Sequence, residues 1–334
     1  MPIEFAVVPH PDEIARAEAL RRHGAPATLG RLDDLGAWVA ACQGQYPPRP
    51  LRRMRIVVFA GDHGIAARGV SAEQPGTTTA ALTALREGGG MLSVLAEAAG
   101  ATVRCLDLAV DRDDDGVADA EFKVRRSSGA IDVEDALTAE QAEAAVEAGM
   151  RVADAEVDAG ADLLIPAELG VGVSTPASTL VATLTDTEPV AVIGRGAGID
   201  DATWMRKAVA VRDAMRRAHP VVTDPVGLLR TVGGADLAAM AGFLAQAAVR
   251  RTPVLLDGLA VAAAALVAEE LAPGARSWWV AAHRSTEPAQ VLALDHLDLE
   301  PIVDLGIRVG RGAGAAATLP LLATAVRLLA EKAS

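Results

Sequence analysis

Apolar and polar positions follow two rhythms along this chain. Between residues 11 and 45 the apolar positions recur at helical spacing. Ile14, Ala17 and Leu20 form one stripe, and Leu29, Leu32, Leu35, Trp38 and Val39 a second, which predicts two helices. Pro47, Pro48 and Pro50 then break the pattern. Ile56-Val57-Val58-Phe59-Ala60 is a continuous apolar run, the mark of a strand buried on both faces of a parallel sheet. Helices are predicted near 77–86 and 91–99, on either side of Gly88-Gly89-Gly90, and a strand over Thr102 to Leu108. Thr138 and Gln141 make a capping-box pattern at the head of a helix reaching to about Ala159. Further apolar runs follow at Leu163-Leu164-Ile165, Val190 to Ile193, Pro253 to Leu256 and Trp278 to Ala281. Helical patterns separate them: one from Ser174-Thr175 with Pro176 at its first position, one through Met205, Lys207 and Met215, and one from Ala235. An Ala-rich helix follows Gly258, and a last helix runs from about Ala315 to Glu331. Strand and helix alternate about six times, which predicts an α/β fold with a mostly parallel sheet and helices on both faces.

Chemistry is expected at the carboxyl ends of those strands. Leu163 to Ala177 reads as a strand that stops at Glu168, a turn of small residues, and a helix start at Ser174-Thr175. Unpaired N–H groups and the positive end of a helix dipole there suit an anion, most simply a phosphate. A single loop of this kind is more commonly an ordinary strand-to-helix turn. A second one, Ile193-Gly194-Arg195-Gly196-Ala197-Gly198-Ile199-Asp200-Asp201, strengthens the phosphate reading. Asp62 and His63 follow the first strand and admit two readings, ligand contacts at the sheet edge or a turn with a structural histidine. With Arg195, Asp257 and His283, these polar tips are expected along one edge of the sheet.

Composition narrows the partners. The 334 residues are 51% hydrophobic but only 3% aromatic, so the core is built of Ala, Val and Leu. A net charge of −13 argues against nucleic acid as a partner. Cys42 and Cys105 are too few for a disulfide framework or thiolate metal site and fit a cytoplasmic location. No targeting pattern is visible, and the apolar stretch Val254 to Ala268 is interrupted by Asp257 and too short for a bilayer, so no membrane partner is expected. Asp111, Asp113, Asp114 and Asp115 lack the offsets of a calcium loop and read as solvated surface.

Six stretches in order resemble one family. They are Phe59-Ala60-Gly61-Asp62-His63-Gly64, Glu168 to Ala177, Gly194 to Gly198, Leu255-Leu256-Asp257-Gly258, His283-Arg284-Ser285-Thr286-Glu287-Pro288 and Asp304-Leu305-Gly306-Ile307-Arg308. Together they resemble the nicotinate-nucleotide:dimethylbenzimidazole phosphoribosyltransferases of cobamide synthesis, over about residues 10 to 330. The resemblance implies a Rossmann-like sheet domain, 51–310, and a small helical domain from residues 1–50 with about 310–334, usually in a homodimer. It implies transfer of phosphoribose from nicotinate mononucleotide to dimethylbenzimidazole, giving an α-ribotide and nicotinate, with no metal and no cofactor. Glu168 matches an acid beside the nucleotide. Gly172, Val173, Ser174 and Thr175, with Gly194, Arg195, Gly196 and Gly198, match phosphate and ribose contacts. Lys207 matches a lysine near the phosphate, and Asp257-Gly258 a motif near the ribose and departing nicotinate.

Two positions depart from the family pattern. The family's Gly-Glu-Gly, whose Glu is its general base, reads Gly310-Arg311-Gly312 here, and a guanidinium does not give up its proton near neutrality. At the base pocket Glu73 and Gln74 replace the usual Tyr or Ser and Pro, and a Gln found in some members near Ala81 is absent. Three readings stand: Glu73 replaces the base; the acceptor is a different one that Arg311 attracts; or the chain is a catalytically weak nucleotide-binding paralogue.

Overall fold

The computed structural model describes residues 3–22, 29–112, 120–196 and 198–331. Asp113, Asp114 and Asp115 of the acidic stretch, and Ala197 of the second glycine-rich loop, lie outside the described residues. Five strands among those described form one parallel sheet: β1 (Met54–Gly61), β2 (Thr102–Ala109), β3 (Leu163–Leu169), β4 (Val254–Leu256) and β5 (Trp279–Ala281), in the order β2-β1-β3-β4-β5. The chain moves from β1 outward to β2 and then returns to the other side of β1, so the order reverses between β1 and β3. Such a reversal opens a crevice at the carboxyl ends of the strands, where ligands bind in sheets of this class.

Both faces of the sheet are buried. Val57, Phe59, Leu164 and Leu256 point into one core, and Ile56, Val58, Ile165 and Leu255 into the other, as the twofold alternation of a strand requires. The terminal segments supply α1 (Glu13–Arg22) and α2 (Arg31–Gln43); α3 (Thr77–Arg86) and α4 (Gly90–Ala99) connect β1 to β2. The first core is covered by α5 (Ala139–Asp158), α6 (Ser174–Leu184), α7 (Asp201–Ala218), the single turn α8 (Pro225–Leu228), α9 (Ala235–Val249), α10 (Leu259–Leu271) and α11 (Pro288–His296). The second core lies under α2, α3, α4 and α12 (Ala313–Glu331). Ala19 of α1, Ala37 and Ala40 of α2 and Leu329 of α12 form a small cluster of their own, which joins the two chain ends. By length and composition α12 is apolar enough to cross a membrane, but ten of its residues are buried against this fold.

Three local expectations change. Val190 to Ile193 is not a strand: Pro189–Ala191 forms one tight helical turn, and Val190 is exposed. A short apolar run without neighbours in register cannot be told from a buried loop by pattern alone. Helix α6 begins at Ser174, which puts Pro176 third rather than first, still within the turn whose N–H groups have no helical partner. Helix α12 begins two residues early, at Ala313. Strand β3 also runs through Pro166 to Leu169. Leu164 donates its N–H to Pro253 beside β4, so alternation turns the Pro166 nitrogen the same way, beyond the single Leu164–Val254 pair where the ladder ends.

Candidate active site

The crevice holds a cavity of about 520 Å3 lined by the loop after β1, the tip of β3, the heads of α6 and α10, and the 308–311 segment before α12. Its floor is built from strand tips. Asp62, after β1, accepts the backbone N–H of Val171 at 3.0 Å and of Asp111 at 2.8 Å, and the Thr78 hydroxyl. His63 donates its own N–H to Val171 and pairs through Nε2 with Asp236 at 3.0 Å. Both residues are buried behind the cavity, which supports the structural reading of this pair. They hold the loop from Gly170 to Ser174. At Gly170 a Cβ would lie 1.8 Å from the Gly61 carbonyl, so the loop lies against β1 too closely for any side chain.

That loop ends at the head of α6. Among the described residues no backbone carbonyl takes the N–H of Val173 or Ser174. Lys207 of α7 reaches the same spot from below, its Nζ 2.9 Å from Ser174 Oγ. Lys207 is almost fully buried, and burial lowers its ammonium to about 8, opposed by the charge of Glu287. Free donors, a helix dipole and one buried cation therefore converge here. Thr175 is buried beneath them and donates its N–H to Gly172.

The second glycine-rich loop is built differently. Gly196 donates its N–H to Glu287 Oε1 at 2.8 Å, Gly198 and Ile199 donate theirs to Arg195, and the Asp200 carboxylate caps α7. The N–H groups of Gly196, Gly198 and Ile199 are thus engaged, the head of α7 carries an acid, and Arg195, Gly196 and Gly198 still line the cavity. Arg195 folds onto its own loop, on the Ile199 carbonyl and Asp201. Gly194 lies against the Glu287 carboxylate. Glu287 is buried, lines the cavity, and has one oxygen, Oε2, without a partner among the described residues. The sequence sets Glu287 within the His283 to Pro288 motif without marking a role for it. The available signal was an acid between a strand tip and a helix opened by Pro288.

Glu168 at the tip of β3 is buried, and burial raises its carboxyl to about 7, with backbone hydrogen bonds opposing the rise and the charge of Asp257 adding to it. Its Oε1 accepts the Arg311 backbone N–H at 3.0 Å, while its buried Oε2 has no partner among the described residues. Arg311 and its neighbours Gly310 and Gly312 all have left-handed backbones, φ 57°, 59° and 74°. A Cβ at Gly310 would lie 2.2 Å from Glu168 Oε1, so the turn folds directly over the carboxylate. The Arg311 guanidinium bonds Glu73 from the opposite wall, with both side chains about one-third exposed. Val70, Ala72 and Val309 line the cavity beside them. Asp257 does not line the cavity. It lies behind Gly258, with Oδ2 accepting the Gly314 N–H at 2.8 Å, and burial raises it to about 6. Ala81 is also outside the cavity, half-buried on α3 against the second core. His283 supports the 305–307 segment, its Nε2 accepting the N–H of Leu305 at 3.1 Å and of Ile307 at 3.4 Å. Among the described residues no three His, Cys, Asp or Glu side chains are grouped to hold a metal.

A family model described as phosphoribosyltransferase matches residues 8–334. The nicotinate-nucleotide–dimethylbenzimidazole phosphoribosyltransferase of Mycobacterium ulcerans is 59% identical over 336 residues, covering 99% of this chain and 94% of that protein. The Mycobacterium marinum enzyme of the same name is 58% identical, with the same coverage. The crystal structure of CobT from Thermus thermophilus superposes with a TM-score of 0.89 at 35% identity, covering 95% of this chain and 96% of that one. This chain belongs to the phosphoribosyltransferase family that includes the nicotinate-nucleotide–dimethylbenzimidazole enzymes.

Proposed function

We propose that the protein moves the phosphoribosyl group of nicotinate mononucleotide to a ring nitrogen of dimethylbenzimidazole or a related base, in cobamide lower-ligand synthesis. One observation carries the reading: a single cavity joins an anion seat, a buried carboxylate with a free oxygen, and an end walled by apolar side chains. The phosphate is assigned to the N–H groups of Val173 and Ser174 and to Lys207. Glu287 Oε2, buried and unpartnered, is assigned to a ribose hydroxyl. The acceptor ring is assigned to the Val70, Ala72 and Val309 end.

Glu168 is the proton acceptor in this reading. As the acceptor nitrogen bonds to the anomeric carbon, the bond to the pyridinium nitrogen breaks and nicotinate leaves with the electron pair. The new benzimidazolium then loses the proton on its other ring nitrogen to Glu168. A carboxyl with a proton affinity near neutrality suits that task. Arg311 stands where the resemblance sets the family's base and cannot accept a proton. Glu73 already holds the Arg311 guanidinium. The lack of a base at Arg311 leaves one further reading, in which the acceptor is anionic or already nucleophilic and needs little base assistance. A homodimer is proposed on the same resemblance; Val7 and Ile14 of the N-terminal segment stand exposed.

Nicotinate release from nicotinate mononucleotide, measured with and without dimethylbenzimidazole, tests the reading. Release only with dimethylbenzimidazole supports it. Release only with another acceptor supports the further reading, and binding without release under any acceptor identifies a nucleotide-binding paralogue.

A further inference from the structure

Two buried carboxylates at neighbouring strand tips grip one short turn. Glu168 is the penultimate residue of β3 and Asp257 follows β4, strands adjacent in the sheet. Glu168 Oε1 holds the turn at its start, through the Arg311 N–H at 3.0 Å. Asp257 Oδ2 holds it at its end, through the Gly314 N–H at 2.8 Å. Both grips are close: a Cβ at Gly314 would lie 2.5 Å from Asp257 Oδ1 and 2.6 Å from His283 Cβ. Among the described residues Asp257 has no ion-pair partner, and it lies outside the cavity lining. An unneutralised buried carboxylate is costly unless its surroundings favour the charge. Here Gly314 lies in the first turn of α12, whose positive end faces Asp257.

We infer that Asp257 is a positioning residue for phosphoribosyl transfer, acting on Glu168 through the 310–314 turn rather than touching the substrate. This rests on the assignment of Glu168 as proton acceptor. Apart from the backbone of Glu168 itself, the turn is the sole backbone donor to that carboxylate among the described residues. Its left-handed backbone leaves it little intrinsic reason to lie as it does. Asp257 supplies that reason from the far end. It also acts directly by charge. The charged groups facing Glu168 are Asp257 on the β4 side and Arg311 on the turn; Asp257 itself is flanked by Glu168 and by His283 after β5. Burial is the main cause of the raised Glu168 carboxyl, and a negative Asp257 adds to it, which makes the ionised Glu168 a stronger base.

The two actions separate in two variants. Asp257→Asn keeps an oxygen for the Gly314 N–H but removes the charge. Asp257→Ala removes both. The test follows nicotinate release from nicotinate mononucleotide with dimethylbenzimidazole between pH 5 and 9, with nucleotide affinity measured by calorimetry. Expected for Asp257→Asn is an acid limb of kcat/KM moved to lower pH by about half a pH unit or more. Expected for Asp257→Ala is a kcat loss of about 10²-fold with nucleotide affinity unchanged. An acid limb for Asp257→Asn superimposable on the unmodified protein overturns the inference, as does loss of nucleotide binding in parallel with kcat. If Asp257→Ala does not fold, the isosteric Asn variant decides alone. A Glu168→Gln variant run alongside distinguishes the two levels: if it keeps full activity and the same acid limb, the assignment of Glu168 fails, and with it the pathway proposed for Asp257.

Discussion

Replacing Lys207 by Met removes one charge from the anion seat while filling nearly the same volume. The ammonium is buried and 2.9 Å from Ser174 Oγ, at the open head of α6. A charge-assisted bond to a phosphate oxygen contributes about 1.5–3 kcal/mol net. The nicotinate mononucleotide Kd is therefore expected to rise about 10- to 150-fold. A pH series adds a second constraint. Burial has lowered Lys207 to about 8, so the free protein loses the charge as pH rises through that value. The phosphate is already a dianion there, its second pKa being about 6. Affinity should therefore be full near pH 7 and fall as pH climbs from about 7 to 9.5, while the Met variant stays flat over that range. Titration calorimetry at several pH values reads both effects. A Met variant within twofold of the unmodified protein, or an unmodified protein with no pH dependence above 7, would remove Lys207 from the nucleotide site.

Glu168→Gln should stabilise the folded chain at pH 8 but not at pH 4. The native carboxyl sits near 7 against an ordinary 4.5, so the native state binds the extra proton between those values and stability falls by about 3 kcal/mol as pH rises through them, a loss the amide does not suffer. Denaturant melts at the two pH values check the sign. Arg311→Glu, which installs the carboxylate that the resemblance implies, is expected to raise dimethylbenzimidazole turnover; an inactive variant with intact nucleotide binding would show an acceptor end rebuilt for another base. Glu73→Gln should leave turnover within a few-fold on the proposal that Glu168 takes the proton; abolished activity would transfer that role to Glu73. Gly310→Ala sets a Cβ 2.2 Å from Glu168 Oε1 at φ 59°, and turnover should fall sharply while far-ultraviolet circular dichroism is retained.

The sheet was legible because its strands announce themselves as apolar runs ending in acids or histidines: Phe59 before Asp62, Leu169 beside Glu168, Leu256 before Asp257. Their placement at one edge follows from parallel connectivity alone. Pattern failed where it lacked a partner. Val190 to Ile193 has strand composition but no neighbour to pair with, and Pro189 starts a tight turn instead. The open N–H groups at the head of α6 were legible from small residues before a helix; the second loop, at Gly194, lines the same cavity but gives one of its N–H groups to a carboxylate. Whether an N–H is free depends on what comes from elsewhere, here Glu287, 91 positions from Gly196 in sequence. The Glu73–Arg311 contact spans 238 positions, and only the fold brings the two together. Asp257 was marked by its Asp-Gly signature, but which side of the wall it faces was not readable from that signature.

Assigning Glu168 as the proton acceptor separates it from the groups that hold the nucleotide elsewhere in the same cavity. The most direct measurement is single-turnover transfer from saturating nicotinate mononucleotide to dimethylbenzimidazole, comparing the unmodified protein with Glu168→Gln and following both nicotinate and the ribotide by mass. On that assignment the Gln variant binds the nucleotide as tightly and transfers about 10²–10⁴-fold more slowly, without the acid limb near pH 7. Transfer at an undiminished rate with that limb intact would contradict it.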